Sequence, residues 1–244
     1  KQTGNVPTGR SGHTIVTMGK MHYMFGGIDS PKDSPDKTKI LPKNELYSIR
    51  ITNTPSTPNT AEWSLKQCTG DVPLARAYHS ACKIGEDRML VFGGYYTSNT
   101  RFNDTFILKT SICLKIFRQF AMVTATQPKV CRRAQKFLVK DRRTLTTANH
   151  TATFHKGKVY IFGGHGGVDY KRVAFNDIYE LDIENEFKWE KLATTGTPPE
   201  PRGGHVASIL SNKDKLIIFG GWNFSTQFHN IFIFNIETKT WDDP

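Results

Sequence analysis

The residues with the clearest chemical potential lie in "VYIFGGHGGVDY" (159 to 170), where the apolar run Val159-Tyr160-Ile161-Phe162 enters Gly163, Gly164, His165, Gly166 and Gly167. A glycine-rich loop after a strand can wrap backbone N–H groups around a phosphate, provided that a helix N-terminus follows it. Here Asn176-Asp177 and a second apolar run, "IYELDI", follow instead, so another strand is expected and a nucleotide site is disfavoured. Other reactive side chains form no recognisable constellation. Cys68, Cys82, Cys113 and Cys131 are scattered without a CxxC pair, which gives no zinc site and no disulfide framework and fits a reduced intracellular chain. GxSxG, HExxH and P-loop motifs are absent, and the eight histidines do not cluster in sequence. No catalytic residue, metal ligand or cofactor is therefore expected. A cytoplasmic location is, with the nucleus left open. The Asn-x-Ser/Thr triplets at Asn103, Asn149 and Asn223 are short enough to arise by chance and are set aside.

The elements that must position such residues become legible once the glycine pair is seen to repeat. Apolar runs close on Phe-Gly-Gly at Gly26-Gly27, Gly93-Gly94, Gly163-Gly164 and Gly220-Gly221. Upstream of each lies Arg-x-x-His: Arg10 with His13, Arg76 with His79, Arg202 with His205, and His150 with Thr147 in the arginine's place. Downstream lie a polar pair (Asn44-Glu45, Asn103-Asp104, Asn176-Asp177, His229-Asn230) and a further apolar run. Trp63, Trp189 and Trp241 then follow in three of the units, with Phe117 near the equivalent place in the second. The step "TG-x-x-P" precedes three of the arginines. Segments rich in Phe, Tyr, Ile and Thr, cut by Gly or Pro every ten residues or so, predict four short strands per unit rather than helices. A repeat of this length implies stacked units that bury their faces against one another.

Arg-x-x-His, an apolar strand, Gly-Gly, a polar pair and a spaced Trp together resemble the kelch repeat, whose members form β-propellers of four-stranded antiparallel blades. The resemblance covers nearly the whole chain. It implies an all-β fold, with the four units as blades at about 9–66, 75–117, 148–192 and 201–243. Both ends fall between blades, so part of a larger propeller is expected, with a closed four-blade ring left open. The resemblance also implies a non-catalytic protein-interaction module, or the targeting or regulatory part of a larger enzyme such as a kelch-bearing phosphatase. The recurring glycines, tryptophans and arginines are expected to be structural.

Strand alternation sorts the loops by face. The loops after Gly-Gly share one face with the connections between blades, and their first residues are Ile28, Tyr95, His165 and Trp222. Large rings in loops on a rigid scaffold suit partner binding. Tyr95, Tyr96, Arg101, His165, Tyr170, Lys171, Arg172 and Trp222 are accordingly the candidate contacts. Phe102, Phe175 and Phe228 recur before the polar pair and are assigned to packing. Between the second and third units the spacing is too long, and 118–147 is taken as a basic inter-blade insertion on the same face. Residues 115 to 143 hold nine Lys and Arg against Asp141, net +8 of the chain's +11. Arg132, Arg133, Arg142 and Arg143 are therefore added as contacts for an acidic or phosphorylated protein or peptide, with nucleic acid less favoured. A solvated insertion without a role, or a stretch foreign to the blades, remains open. The sequence begins at Lys1 with no visible secretory signal, and no apolar run reaches the roughly 18 residues of a membrane helix. Oligomeric state is not legible.

Overall fold

The computed structural model describes all residues except 30–39, 57, 98, 111–129, 138–146, 168–170, 186, 211–212 and 243–244. Among the described residues there is no helix. The strands assemble into four antiparallel meanders, each built in chain order from the axis outward. The first comprises Thr14–Met18, Met21–Phe25, Leu46–Thr52 and Thr60–Gly70. The second comprises Ser80–Lys83, Arg88–Phe92, Thr105–Lys109 and Val130–Phe137. The third comprises Thr151–His155, Lys158–Gly166, Val173–Asp182 and Lys188–Lys191, and the fourth Val206–Leu210, Lys215–Phe219, Ile231–Asn235 and Thr240–Asp242. This is the all-β propeller architecture expected from the repeat.

Period-two alternation gives every blade two apolar faces, and each junction buries one face of each neighbour. Val16, Met18, Phe25 and Leu46 of the first blade pack on Met89, Val91, Phe106 and Leu108 of the second. The intervening residues Leu90, Phe92 and Ile107 turn to Val159, Ile161 and Leu181 of the third. Tyr160, Phe162 and Ile178 in turn meet Leu216, Ile218, Phe234 and Trp241 of the fourth. Trp189 lies on Phe92 with ring centroids 4.9 Å apart, and Trp241 on Phe162 at 5.4 Å. Each tryptophan thus caps the Phe-Gly-Gly of the blade before it.

Polar bonds repeat at the same junctions. The residue before each repeat histidine has positive φ, whether Gly12 (66°), Tyr78 (53°), Asn149 (59°) or Gly204 (68°). The Tyr78, Asn149 and Gly204 N–H groups each donate to the carbonyl of the corresponding residue one blade earlier, at 2.8 to 2.9 Å. The Nε2 atoms of His79, His150 and His205 meet the hydroxyls of Thr14, Ser80 and Thr151 at 2.8, 2.7 and 2.9 Å. Gly163 shows why the glycine pair cannot vary: φ is 62°, and a Cβ would stand 2.7 Å from the Arg202 carbonyl oxygen and 3.1 Å from the His205 ring.

The fourth strand of the second blade corrects the sequence reading. It is Val130–Phe137, which pairs antiparallel with Thr105–Lys109 and lies inside the stretch taken as an inter-blade insertion. Its register matches the other blades. Trp63, Trp189 and Trp241 sit opposite Ile49, Leu181 and Phe234, and Ala134 sits opposite the equivalent Leu108. Gly4, Gly196 and Gly70, each from a "TG" step, pair in parallel with Trp63, Trp241 and Ala134. Ala134 therefore fills the tryptophan position, and Phe117 lies outside the described residues. The extra length falls between the third and outer strands of the second blade, at the end opposite the loops that follow Gly-Gly. Ala134 carries no aromatic signal, so the sequence pattern by itself does not mark this outer strand.

Candidate functional site

Buried arginines hold the loop-bearing end of the first, second and fourth blades in shape. Arg76 is fully buried, donates from Nη1 to the Gly93 carbonyl at 3.0 Å, and grips Asp104 at 2.6 and 3.3 Å. Arg10 does the same with the Gly26 carbonyl and Glu45, and Arg202 with the Gly220 carbonyl and the Asn230 side-chain oxygen. Phe102 and Phe228 lie flat beneath the guanidinium groups of Arg76 and Arg202, at 4.2 and 4.1 Å. That is the packing role expected of these phenylalanines. In the third blade Thr147 is too short to reach, and Asp177 takes the Lys191 ammonium at 2.5 Å instead. Burial pulls the Arg202 pKa down.

The residue after Gly-Gly has a fixed seat in every blade, including the third, which lacks the arginine. Ile28, Tyr95, His165 and Trp222 bridge to Ser11, Ala77, Ala148 and Gly203, all on one end of the molecule. Three blades extend this into a continuous rim. Tyr95 stacks on Tyr78 with centroids 5.5 Å apart and planes 7° from parallel. Across the short ladder Tyr95–Thr97 with Thr100–Arg101, Arg101 stands opposite Tyr95 and donates to the Gly167 carbonyl of the next blade's loop. His165, Trp222 and Phe224 are in mutual ring contact at 4.9, 4.3 and 5.1 Å, and Arg172 lies over Phe224 at 5.9 Å. His165 Nε2 donates to the Trp222 carbonyl at 2.9 Å, and burial lowers the His165 pKa, so the ring is neutral at physiological pH.

Phe224 adopts φ of 78°, a strained value for an aromatic residue. It is held there by Asn223, whose side-chain oxygen accepts from the Ser225 and Thr226 N–H groups at 3.2 and 2.8 Å, closing a tight turn. Such outliers concentrate where a loop must present a side chain. Trp222 is 39% exposed on the same loop.

Of the candidate contacts, the structure brings together Tyr95, Arg101, His165, Arg172 and Trp222. Tyr96 is half-buried beside Tyr95, and Lys171 is exposed beside Arg172. Tyr170, Arg142 and Arg143 lie outside the described residues. Arg132 and Arg133 belong to the strand Val130–Phe137 and not to a loop at the rim, which corrects the expectation that they sit among the rim contacts. The chain from Phe137 to Thr147 is as short as that from Lys191 to Arg202, so no long insertion joins the second and third blades. Tyr78 and Phe224 escaped the sequence reading. Tyr78 could have been found as the large residue where other repeats place Gly12, Asn149 or Gly204.

The opposite end carries a groove of about 500 Å3 lined by His155, Lys158, Glu180, Asp214 and Lys239 among others. Its charges are largely spent on one another: Asp214 takes both His155 and Lys156, and Glu180 takes Lys158. Among the described residues no group of three or more His, Cys, Asp or Glu is placed to hold a metal ion.

An all-β propeller with this anchored rim defines a class of repeat scaffold. The model of the KLHDC2/KLHL20/DRC7 Kelch-repeats domain matches residues 12–244, and the chain belongs to the kelch-repeat family. It is 30% identical over 244 residues to the mouse Kelch domain-containing protein 3, covering 97% of this chain and 54% of that protein. The flagellar outer-arm dynein alpha chain of Chlamydomonas reinhardtii is 27% identical over 253 residues, 98% of this chain and 5% of the dynein. An N-(sulfonatooxy)prop-2-enimidothioate sulfolyase of Thlaspi arvense is 29% identical over 221 residues, 90% and 53% of the two chains. The chain thus spans about half the length of the kelch domain-containing relative and a small part of the dynein. Membership of the family supports a protein-interaction module. Among the described residues no helix is long and apolar enough to cross a membrane.

Proposed function

We propose that this chain binds an acidic or phosphorylated segment of a protein partner along the rim formed by Tyr95, Arg101, His165, Arg172, Trp222 and Phe224. The supporting observation is the strained, aromatic turn at Trp222 and Phe224, packed against the His165 ring and flanked by the cations Arg172 and Lys171. An exposed ring such as Trp222 buries large area at little entropic cost, and guanidinium groups recognise carboxylate or phosphate. A site built this way presents and holds a partner without chemistry of its own. In this reading the module works in the cytoplasm. Its four blades form part of a larger propeller.

Fluorescence anisotropy against an array of acidic, phosphorylated and neutral peptides tests the proposal. Trp222→Ala and Arg172→Glu should each weaken the selected peptides by about tenfold or more. Selected peptides that bind the double variant undiminished would refute it. A second reading, that the module targets or regulates a larger polypeptide, draws support from the dynein relative, of which a match to this chain occupies 5%. Binding of nucleic acid is disfavoured, and it would show itself by a steep loss of affinity with salt.

A further inference from the structure

The outer strand of the second blade is held differently from its counterparts. In the third and fourth blades an indole fastens that strand to the phenylalanine of the blade before, Trp189 on Phe92 and Trp241 on Phe162. Ala134 stands at the same register in the second blade and has no ring to offer Phe25. The strand is joined in parallel to the end of Thr60–Gly70, and that join sets two cysteines opposite each other, Cys131 against Cys68. Counted back from Ala134 opposite Gly70, an unbroken ladder would set Arg132 against Cys68. A bulge between Cys131 and Ala134 shifts the register by one and brings Cys131 there instead. The corresponding joins of the first and fourth blades pair Gln2 with Ala61 and Thr195 with Thr240, so the cysteine pair is particular to the second.

Neighbouring strands lie roughly 4.8 Å apart, and a disulfide spans Cα separations of roughly 4.4–6.8 Å, so an in-register pair is within bridging distance. Thr195 and Thr240 show what such a pair does in this molecule: their Oγ1 atoms lie 3.0 Å apart across the same kind of parallel join. Cys68 packs against the core between the first and second blades yet is only half-buried, which leaves its thiol within reach of a small oxidant. Lys129, Arg132 and Arg133 flank Cys131 in the sequence, and cations favour the thiolate, the form that attacks a disulfide. Cys82 is no competitor, because burial pushes its thiol up to about 12 and keeps it protonated.

We infer that Cys68 and Cys131 form a reversible disulfide, which fastens the outer strand of the second blade to the first blade where the tryptophan clamp is missing. The oxidant is a small disulfide such as glutathione disulfide. One protein thiolate attacks a sulfur of it, releasing one glutathione thiolate and leaving a mixed disulfide; the second protein thiolate then displaces the other glutathione. The two protein thiols lose two protons and two electrons, and the oxidant becomes two glutathione molecules. The bond closes a loop that holds the three inner strands of the second blade, so it restricts the unfolded chain strongly. Where glutathione is kept reduced the pair stays as thiols, and the bond forms as that pool is oxidised.

Incubation in glutathione buffers poised from reducing to oxidising, then alkylation in denaturant and mass spectrometry, tests this inference. The oxidised wild type should lose two of its four alkylatable thiols and yield, on non-reducing digestion, a linked peptide pair carrying Cys68 and Cys131. Its melting temperature should exceed that of the reduced protein by roughly 5–15 °C. Cys68→Ser and Cys131→Ser should each abolish both the linkage and the redox-dependent rise, and Cys113→Ser should keep both. The linked peptide is read in the wild type, so a variant that folds poorly does not obscure the result. An oxidised wild type that keeps four thiols, a linkage through Cys82 or Cys113, a linkage between two chains, or a linked protein that melts no higher than the reduced one would each overturn the inference. None of the rim residues takes part, so the outcome is separable from that of the function proposed above.

Discussion

Asp104→Ala is the sharpest test of how the blades hold their loop ends. Arg76 is fully buried and its guanidinium grips both carboxylate oxygens of Asp104, at 2.6 and 3.3 Å, with the aspartate side chain only 13% exposed. Removing the carboxylate leaves a buried cation with only the Gly93 and Leu74 carbonyls and the Phe102 and Phe106 ring faces for company. Breaking a buried pair from one side typically costs about 3–5 kcal/mol, because the remaining charge is left uncompensated. The fourth blade supplies the internal control. Asn230→Ala removes a neutral acceptor from the equally buried Arg202 and should cost about 1–3 kcal/mol. The measurement is denaturant unfolding of both variants, joined by the double variant Arg76→Met/Asp104→Ala. The double variant should recover part of the loss, since it replaces the stranded charge with an apolar side chain of similar length. Amide exchange at Phe92 and Gly93 should speed up in Asp104→Ala, localising the damage to the second blade. A cost for Asp104→Ala no greater than for Asn230→Ala, or a double variant worse than the single one, would refute the view that the carboxylate serves to neutralise a buried guanidinium.

Two further expectations follow from the same repeat. Thr147→Arg should stabilise the chain by about 0.5–2 kcal/mol, read as a raised melting temperature. A small cavity lined by Thr147, Gly163 and Asp177 marks where the guanidinium sits in the other blades, and Lys191 would be released from Asp177. Stability should also fall as pH drops below about 6.5. Burial pushes His79 and His205 down to about 3 and His150 to about 4. The unfolded chain thus binds more protons than the native one between those values and 6.5, and stability rises with pH across that window. Each histidine contributes a slope of up to about 1.4 kcal/mol per pH unit there. Unfolding midpoints between pH 4 and 7 measure it, and His150→Gln should flatten the profile.

The repeat could be read without coordinates because each of its signals is local. Gly163 needs a positive φ, Phe102 and Phe228 recur at fixed offsets, and the apolar runs alternate with period two. These features determined the strand order within a blade, and with it the family and the end of the molecule to which His165 and Trp222 belong. Where the second blade ends was decided only by the tertiary structure. Its outer strand is defined by pairing with Thr105–Lys109 and, in parallel, with the end of Thr60–Gly70 far away in sequence. Ala134 at the tryptophan position carries no local signal of that pairing, and the basic residues around it read as a loop. The same holds for Tyr78, whose stacking on Tyr95 depends on two loops meeting, and for Arg101, which reaches into the next blade. Local backbone preferences and side-chain periodicity are written residue by residue. Contacts across a junction exist only once the sheets have packed, so they had to be found in the fold.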